Sequence, residues 1–334
     1  MEDEFTISLS RHGSRVQDVL SARYPTYSVG SLLGLIAGGA VLINDSRATR
    51  HIRLKEGDVV RITFPDEGLR KVEPRKMDFE ILYEDASCLV INKPAGLAVV
   101  PESDVEEYPL MSGMLYYLQH DSPHATGELV RPMIVHRLDK NTTGALVIAK
   151  DLPTMRDLTR QFESRTVHKE YLAIVRGRPP GEFEITLPIS TKGVKRGRAI
   201  INDRRGRPAA TLVRTEEYFR GFALVRAVPK TGRMHQVRLH LKAAGHPLAI
   251  DPLYSGPRGA EQAVYLSQLK PGYRPKARRP EKPLIARQTL HAHRLQFTVQ
   301  EESGETKTVD VEAPPADDLE LLLKMLRKYR KESP

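Results

Sequence analysis

One stretch, Pro132–Lys150 (PMIVHRLDKNTTGALVIAK), limits what this chain can fold into more than any other. Two apolar runs rich in β-branched residues, Met133–Val135 and Ala145–Ala149, flank a polar centre that ends at Gly144. The pattern predicts a strand, a loop and a second strand. The loop carries one carboxylate, Asp139, between Arg137 and Lys140, and neighbouring cations favour the charged form of such a group. A charged carboxylate on a rigid turn is equipped to act as a nucleophile. In a plain hairpin the same Asp and Asn would only make turn hydrogen bonds. The hairpin alone favours that second reading; the rest of the chain reverses it.

At 334 residues the chain has room for two domains. Its net charge of +10 and pI near 9.6 favour a polyanionic partner. The one cysteine, Cys88, rules out an intrachain disulfide and a cysteine-rich zinc site. Its apolar run predicts a small buried hydrophobe. No apolar run approaches the ~20 residues needed to cross a bilayer, and the mixed, acidic N-terminus is unlike a secretory signal. The expectation is a cytoplasmic, monomeric protein. His291 and His293 form a His-x-His pair with no third ligand nearby in sequence, so no metal is assigned.

Residues 14–72 read as a compact unit: a helix beginning after Ser14, a second over Gly30–Ala37, then short strands at Ala40–Asp45 and Gly57–Ile62. About sixty residues in that order resemble the S-four-like RNA-binding module. No Lys or Arg lies between Arg23 and Arg47, where the second helix of such modules meets phosphate. This leaves a weak RNA binder or mainly a packing unit. A charged linker covers 73–78, a second, larger unit is expected at 79–315, and a C-terminal helix and tail fill 316–334. Asp151, with Pro153 in the first turn, predicts a capped helix reaching about Ser164.

The segment from Lys192 to Arg207 holds seven cations, Lys195, Arg196 and Arg198 among them, against the single acid Asp203. It reads as a solvated loop or as an arm contacting phosphate, and context favours the arm. Further on, Thr231 caps a helix over Arg233–Ala244 that ends at Gly245. Met234, Val237 and Leu241 share one face of it, and Arg238 and Lys242 another. Arg233 falls in the first turn, where a cation opposes the helix dipole. A partner anion would explain that placement; so would an exposed surface arginine.

In order, several separated blocks resemble the RluA-type RNA pseudouridine synthases: Ile91–Leu97 (INKPAGL), His136–Gly144 (HRLDKNTTG), Lys169–Leu172 (KEYL), Thr231–Leu241 (TGRMHQVRLHL), His246–Tyr254 and Leu290–His293 (LHAH). The likeness covers roughly residues 79–300. An S-four-like module ahead of such a domain is a known arrangement in that family. The resemblance implies an α+β pseudouridine synthase fold with a mixed, mainly antiparallel central sheet, plus a small α/β module. It implies isomerisation of a uridine in structured RNA to pseudouridine. The base is flipped out of its stack, detached from the sugar, turned, and rejoined through a carbon–carbon bond.

On this resemblance Asp139 matches the nucleophile, Tyr171 the active-site tyrosine, and Arg233 the basic residue paired with the aspartate. Arg137 matches the arginine that fills the space left by the flipped base. Lys140, Lys195, Arg196, Arg198 and Arg238 are the further RNA contacts expected. A redox-neutral isomerisation needs no cofactor and no metal. Large-subunit ribosomal RNA is the preferred partner, ahead of transfer RNA. Departures exist, such as Asn141-Thr142-Thr143 where the family usually has Asp-Thr-Ser, and Met234 where Thr is common; they suggest a divergent branch. The alternative is a catalytically inactive RNA-binding or ribosome-assembly factor on the same scaffold.

Overall fold

The computed structural model describes residues 2–99, 109–125, 127, 129–194, 197–254, 263–275, 280–301 and 304–332. The N-terminal unit contains strands β1 (Glu2–Thr6), β2 (Val41–Ile43), β3 (Ser46–Arg47) and β4 (Val59–Thr63) and helices α1 (Val16–Arg23) and α2 (Val29–Ala37). Ser28 caps α2, its hydroxyl accepting the Ser31 N–H at 3.0 Å. Asn44 and Asp45, both with positive φ, turn β2 into β3. The sheet order is β1-β4-β2-β3, so this unit begins at Glu2, ahead of the boundary at residue 14 drawn from the sequence. Every residue of β1 pairs with β4, but a strand this charged gives little hydrophobic alternation to detect.

The second unit is built on strands β5 (Glu80–Glu84), β6 (Cys88–Lys93), β7 (Met133–Ile134), β8 (Thr143–Ala149) and β9 (His168–Arg176), with helices α3 (Pro109–Tyr116) and α4 (Leu152–Ser164). It continues through β10 (Glu182–Ile185), a small ribbon of β11 (Ile189–Ser190) and β12 (Ile200–Ile201), then β13 (Thr211–Phe219), β14 (Phe222–Pro229) and helix α5 (Gln236–Ala243). The short α6 (Leu266–Leu269), strands β15 (Leu290–Gln300) and β16 (Thr306–Glu312), and helix α7 (Asp317–Tyr329) complete it. The large sheet is ordered β10-β13-β14-β9-β15-β8-β6-β5, with β7 on β8 and β16 on β15. Among the described residues β8 and β15 form its one parallel pair. The fold is therefore α+β on a mixed, mostly antiparallel sheet.

That parallel pair fixes one residue of the central motif. Gly144, at φ +114, lies so near β15 that a Cβ would sit 2.1 Å from the Ala292 carbonyl oxygen. Its lack of a side chain lets two backbones touch beside the loop that carries Asp139. Strand β8 is buried along its whole length, and Cys88 on β6 is a core residue whose thiol is pushed up to about 12, chiefly by burial.

The N-terminal unit shares this core. Val16, Leu20 and Leu32 cluster with Val147, Ala149, Leu158 and Leu295. Arg131 Nη1 donates to the carbonyls of Pro25 and Tyr27 at 2.8 and 2.7 Å, and Arg156 reaches the His12 carbonyl at 2.7 Å. Apolar burial and hydrogen bonds thus hold the unit against the large sheet. No helix among the described residues is long and apolar enough to cross a membrane.

Candidate active site

The loop between β7 and β8 is anchored at successive residues. His136 accepts the Val147 N–H at 3.0 Å and stacks on Phe162 with centroids 4.5 Å apart. Burial pushes its pKa down to about 3, consistent with a neutral ring nitrogen acting as acceptor. Leu138 is buried, and the Thr142 N–H closes a turn onto the Asp139 carbonyl at 3.0 Å. The Lys140 carbonyl receives the Gly96 N–H and the Lys93 Nζ, each at 3.0 Å. Lys93, with no exposed surface, also donates to the carbonyls of Pro94 and Leu97 at 2.8 and 2.9 Å.

Three carbonyls match the three N–H groups of an ammonium. Against this, burial and then the charge of Arg287 draw the Lys93 pKa down to about 7. From the other side, Gln288 donates to the Thr142 hydroxyl at 2.7 Å and His291 pairs with the Thr143 hydroxyl at 2.8 Å. The blocks INKPAGL and LHAH, distant in sequence, are therefore the supports of HRLDK. His291 is structural: its second nitrogen faces the Ala313 carbonyl at 3.0 Å.

Asp139 does not meet Arg233, as the sequence had suggested; its partner is Arg238. Arg238 Nη1 donates to Asp139 Oδ2 at 2.7 Å, while Nε and Nη2 form a fork on Asp251 at 2.8 and 2.7 Å. The Arg238 side chain, expected as an RNA contact, is 3% exposed and committed to these two carboxylates. Burial opposes its charge, but the hydrogen bonds and charges of the two carboxylates outweigh that and raise its pKa.

The correction follows from where α5 begins. Gln236 accepts from the Thr231 hydroxyl and the Arg233 N–H at 2.7 and 3.0 Å, and donates to the Ala210 carbonyl at 2.9 Å. His235, at φ 54, occupies the cap in a left-handed conformation. The helix thus starts at Gln236, and Arg233 stays in the preceding turn with its Nε on the Pro208 carbonyl at 3.2 Å. Six consecutive residues, Gln236–Leu241, are buried, so α5 has no polar face at Arg238. Lys242, expected beside it, is exposed. A charged residue inside the run Val237–Leu241 is a signal for a buried, paired cation that amphipathic reading overlooks.

Asp139 Oδ1 has a different neighbour. His235 Nε2 lies 3.7 Å from it, and His235 Nδ1 is 2.7 Å from the Tyr254 hydroxyl. Burial lowers the His235 pKa, with Asp139 opposing. The Tyr254 hydroxyl also reaches the Ala199 carbonyl at 3.2 Å, so this contact ties His235 to the β11–β12 ribbon. Tyr171, on β9 beside Ala292 and Ala227, has its pKa raised by burial and then by the charge of Asp139. Its hydroxyl makes no hydrogen bond to the described residues, so it remains a protonated, uncommitted donor.

Asp139, Tyr171, Arg233, Arg137 and Arg238 all line one cleft of about 590 Å³. Arg137 is exposed at its edge. Lys140 is exposed and not part of this lining, and Arg198, also exposed, lies between β11 and β12. Lys195 and Arg196 lie outside the described residues. Among the described residues no three His, Cys, Asp or Glu side chains are grouped to hold a metal ion. The cleft offers a carboxylate held through one oxygen, a protonated phenol, and cations at the rim.

Comparison with known proteins agrees with this chemistry. Residues 87–243 match the family model described as RNA pseudouridylate synthase. The chain is 36% identical over 328 residues to the ribosomal large subunit pseudouridine synthase D of Neisseria meningitidis, covering 96% of this chain and 81% of the relative. The protein of the same name from Zymomonas mobilis is 32% identical, with 97% of each chain covered. The solved structure of human RNA pseudouridylate synthase domain containing 4 superposes with a TM-score of 0.57 at 27% identity, covering 74% of this chain and 93% of that one. This chain belongs to the RNA pseudouridylate synthase family, and it is an enzyme that isomerises uridine to pseudouridine in RNA.

Proposed function

We propose that the uridine lies in large-subunit ribosomal RNA, the substrate named for the Neisseria and Zymomonas relatives, and that Asp139 is the nucleophile. The enzyme acts in the cytoplasm, where ribosomes are assembled, and its Asp139–Arg238 pair is complete within one chain. The observation that carries the nucleophile is the asymmetry of its carboxylate. Arg238 takes Oδ2 at 2.7 Å, whereas among the described residues Oδ1 has only His235, at 3.7 Å, and Asp139 lines the cleft.

Extrusion of a uridine costs a few kcal/mol of stacking and pairing. The aromatic face of Tyr171 offers an extruded base a new stacking surface. Asp139 Oδ1 bonds to the extruded nucleotide with Arg238 orienting the carboxylate. The N1–C1′ bond breaks, the uracil turns, C5 bonds to C1′ and Asp139 is released. The proton lost from C5 is matched by one gained at N1, with the Tyr171 hydroxyl assisting the transfer. Arg137 at the rim covers the gap in the helix, and Arg233 contacts the RNA backbone instead of the carboxylate. Unmodified large-subunit ribosomal RNA transcript, incubated with the wild type, gains pseudouridine at a defined position; with Asp139→Asn it does not. Modification of transfer RNA and not of this transcript would overturn the substrate. Turnover by Asp139→Asn would overturn the nucleophile.

A further inference from the structure

We propose that a second hollow, between the end of α4 and the turn from β14 to α5, is a seat for a backbone phosphodiester of the RNA strand, with Lys169 and Arg165 as its ligands. This deepens the proposed function and rests on it for the RNA used in the test.

The hollow has a volume of about 240 Å³ and opens into the catalytic cleft through shared walls that include Phe162, Lys169 and Gly232. Its ionisable lining holds Arg165, His168, Lys169 and Lys230 and no carboxylate. Two of these are already engaged, His168 with Glu170 at 2.8 Å and Lys230 with Glu184 at 2.9 Å. Lys169 and Arg165 have no acidic partner among the described residues. Lys169 is half-buried, with its Nζ 5.7 Å from the centre of the Phe162 ring. A cation partly withdrawn from water without a counter-ion is unfavourable, and burial accordingly lowers its pKa. An anion entering the hollow removes that penalty.

Three further features point the same way. Arg165 ends α4 in a left-handed conformation, φ 64, one that glycine or asparagine adopts more cheaply; its side chain lines both the hollow and the cleft. Arg233 is held below its ordinary pKa by burial and then by Arg207 and Arg165, so like charges crowd the same rim. Finally, Lys169 and Tyr171 stand two apart on β9 and so share a face, roughly 7 Å apart along the strand. That spacing suits a nucleobase on the tyrosine with its own backbone at the lysine. Phosphate takes the strong, charge-assisted bonds that Lys and Arg supply.

The test uses the full chain and the unmodified ribosomal transcript, reading binding and pseudouridine formation separately across a salt series. Lys169→Gln and Arg165→Gln are expected to weaken binding and raise KM about tenfold. Each should also flatten the slope of log affinity against log salt by about 0.7, one single-strand phosphate contact. Lys169→Arg should restore both. Unchanged affinity and salt slope in both glutamine variants would overturn the seat. A fall in kcat alone, with KM and slope kept, would overturn it too and make Lys169 a support for Tyr171. If Lys169→Gln fails to fold, the more exposed Arg165→Gln decides. A wild type that binds the transcript without modifying it sinks the substrate assignment, while the binding slopes still judge the seat.

Discussion

Arg238 Nη1 donates to Asp139 Oδ2 at 2.7 Å, joining two side chains 99 positions apart. The same guanidinium grips Asp251, itself 1% exposed, through two more bonds. Removing one partner of a buried ion pair costs about 3–5 kcal/mol. Arg238→Gln is therefore expected to lose that much stability and to abolish pseudouridine formation. Arg233→Gln, which loses one bond to a carbonyl, should cost about 1 kcal/mol or less. Denaturant unfolding of both variants checks this, and equal losses would mean that the carboxylate's partner is wrongly assigned.

Among the described residues Lys93 links two motifs through carbonyl groups alone. In Lys93→Met the carbonyls of Pro94, Leu97 and Lys140 each lose a donor, Lys140 keeping the Gly96 N–H, and each lost bond should cost about 1 kcal/mol. The variant should exchange the Thr142 and Gly96 amide hydrogens faster, because both are bonded within the loop, and its kcat should fall as Asp139 loses its fixed position. Unaltered exchange at those two amides would show that the loop does not depend on the staple.

Gly144→Ala places a methyl group where the Ala292 carbonyl oxygen stands, 2.1 Å away, and at a φ that side-chain-bearing residues avoid. The β8–β15 crossing has to open, which should cost more than about 3 kcal/mol. The chain is expected to express poorly or to melt well below the wild type. A thermal scan showing an unchanged Tm would contradict the close approach.

His291 makes stability depend on acid. Burial, first among several causes, drops its pKa from 6.5 to about 4. Between those values the unfolded chain binds a proton that the folded one refuses, so stability is complete above pH 6.5 and declines as pH falls through 4. The span corresponds to roughly 3 kcal/mol, and His136, at about 3 in the fold, adds to the same slope. Unfolding free energies measured from pH 7 to 4 should fall accordingly, and less steeply in His291→Gln. Parallel curves for variant and wild type would remove His291 as a source.

Much of this was legible along the chain. The alternation around HRLDK marks a strand–loop–strand, and the sheet confirms it with β7 and β8. Asp151 does cap α4, accepting the Thr154 N–H at 2.8 Å. These are local matters, decided by propensity, capping and side-chain period within a few residues. The misreading of α5 was local as well: a run beginning at Thr231 reads as one helix, but the Gln236 side chain and the left-handed His235 delay its start.

The sequence by itself determined the elements, the carboxylate at the centre of the loop and the family that shares these motifs. Tertiary structure alone decided which cation meets that carboxylate, why Gly144 has no side chain, and how Lys93 came to hold a loop 47 residues away. Such pairings depend on which strands lie side by side, and an arginine in a buried helix can answer a distant aspartate only after the sheet has brought both to one edge of the cleft.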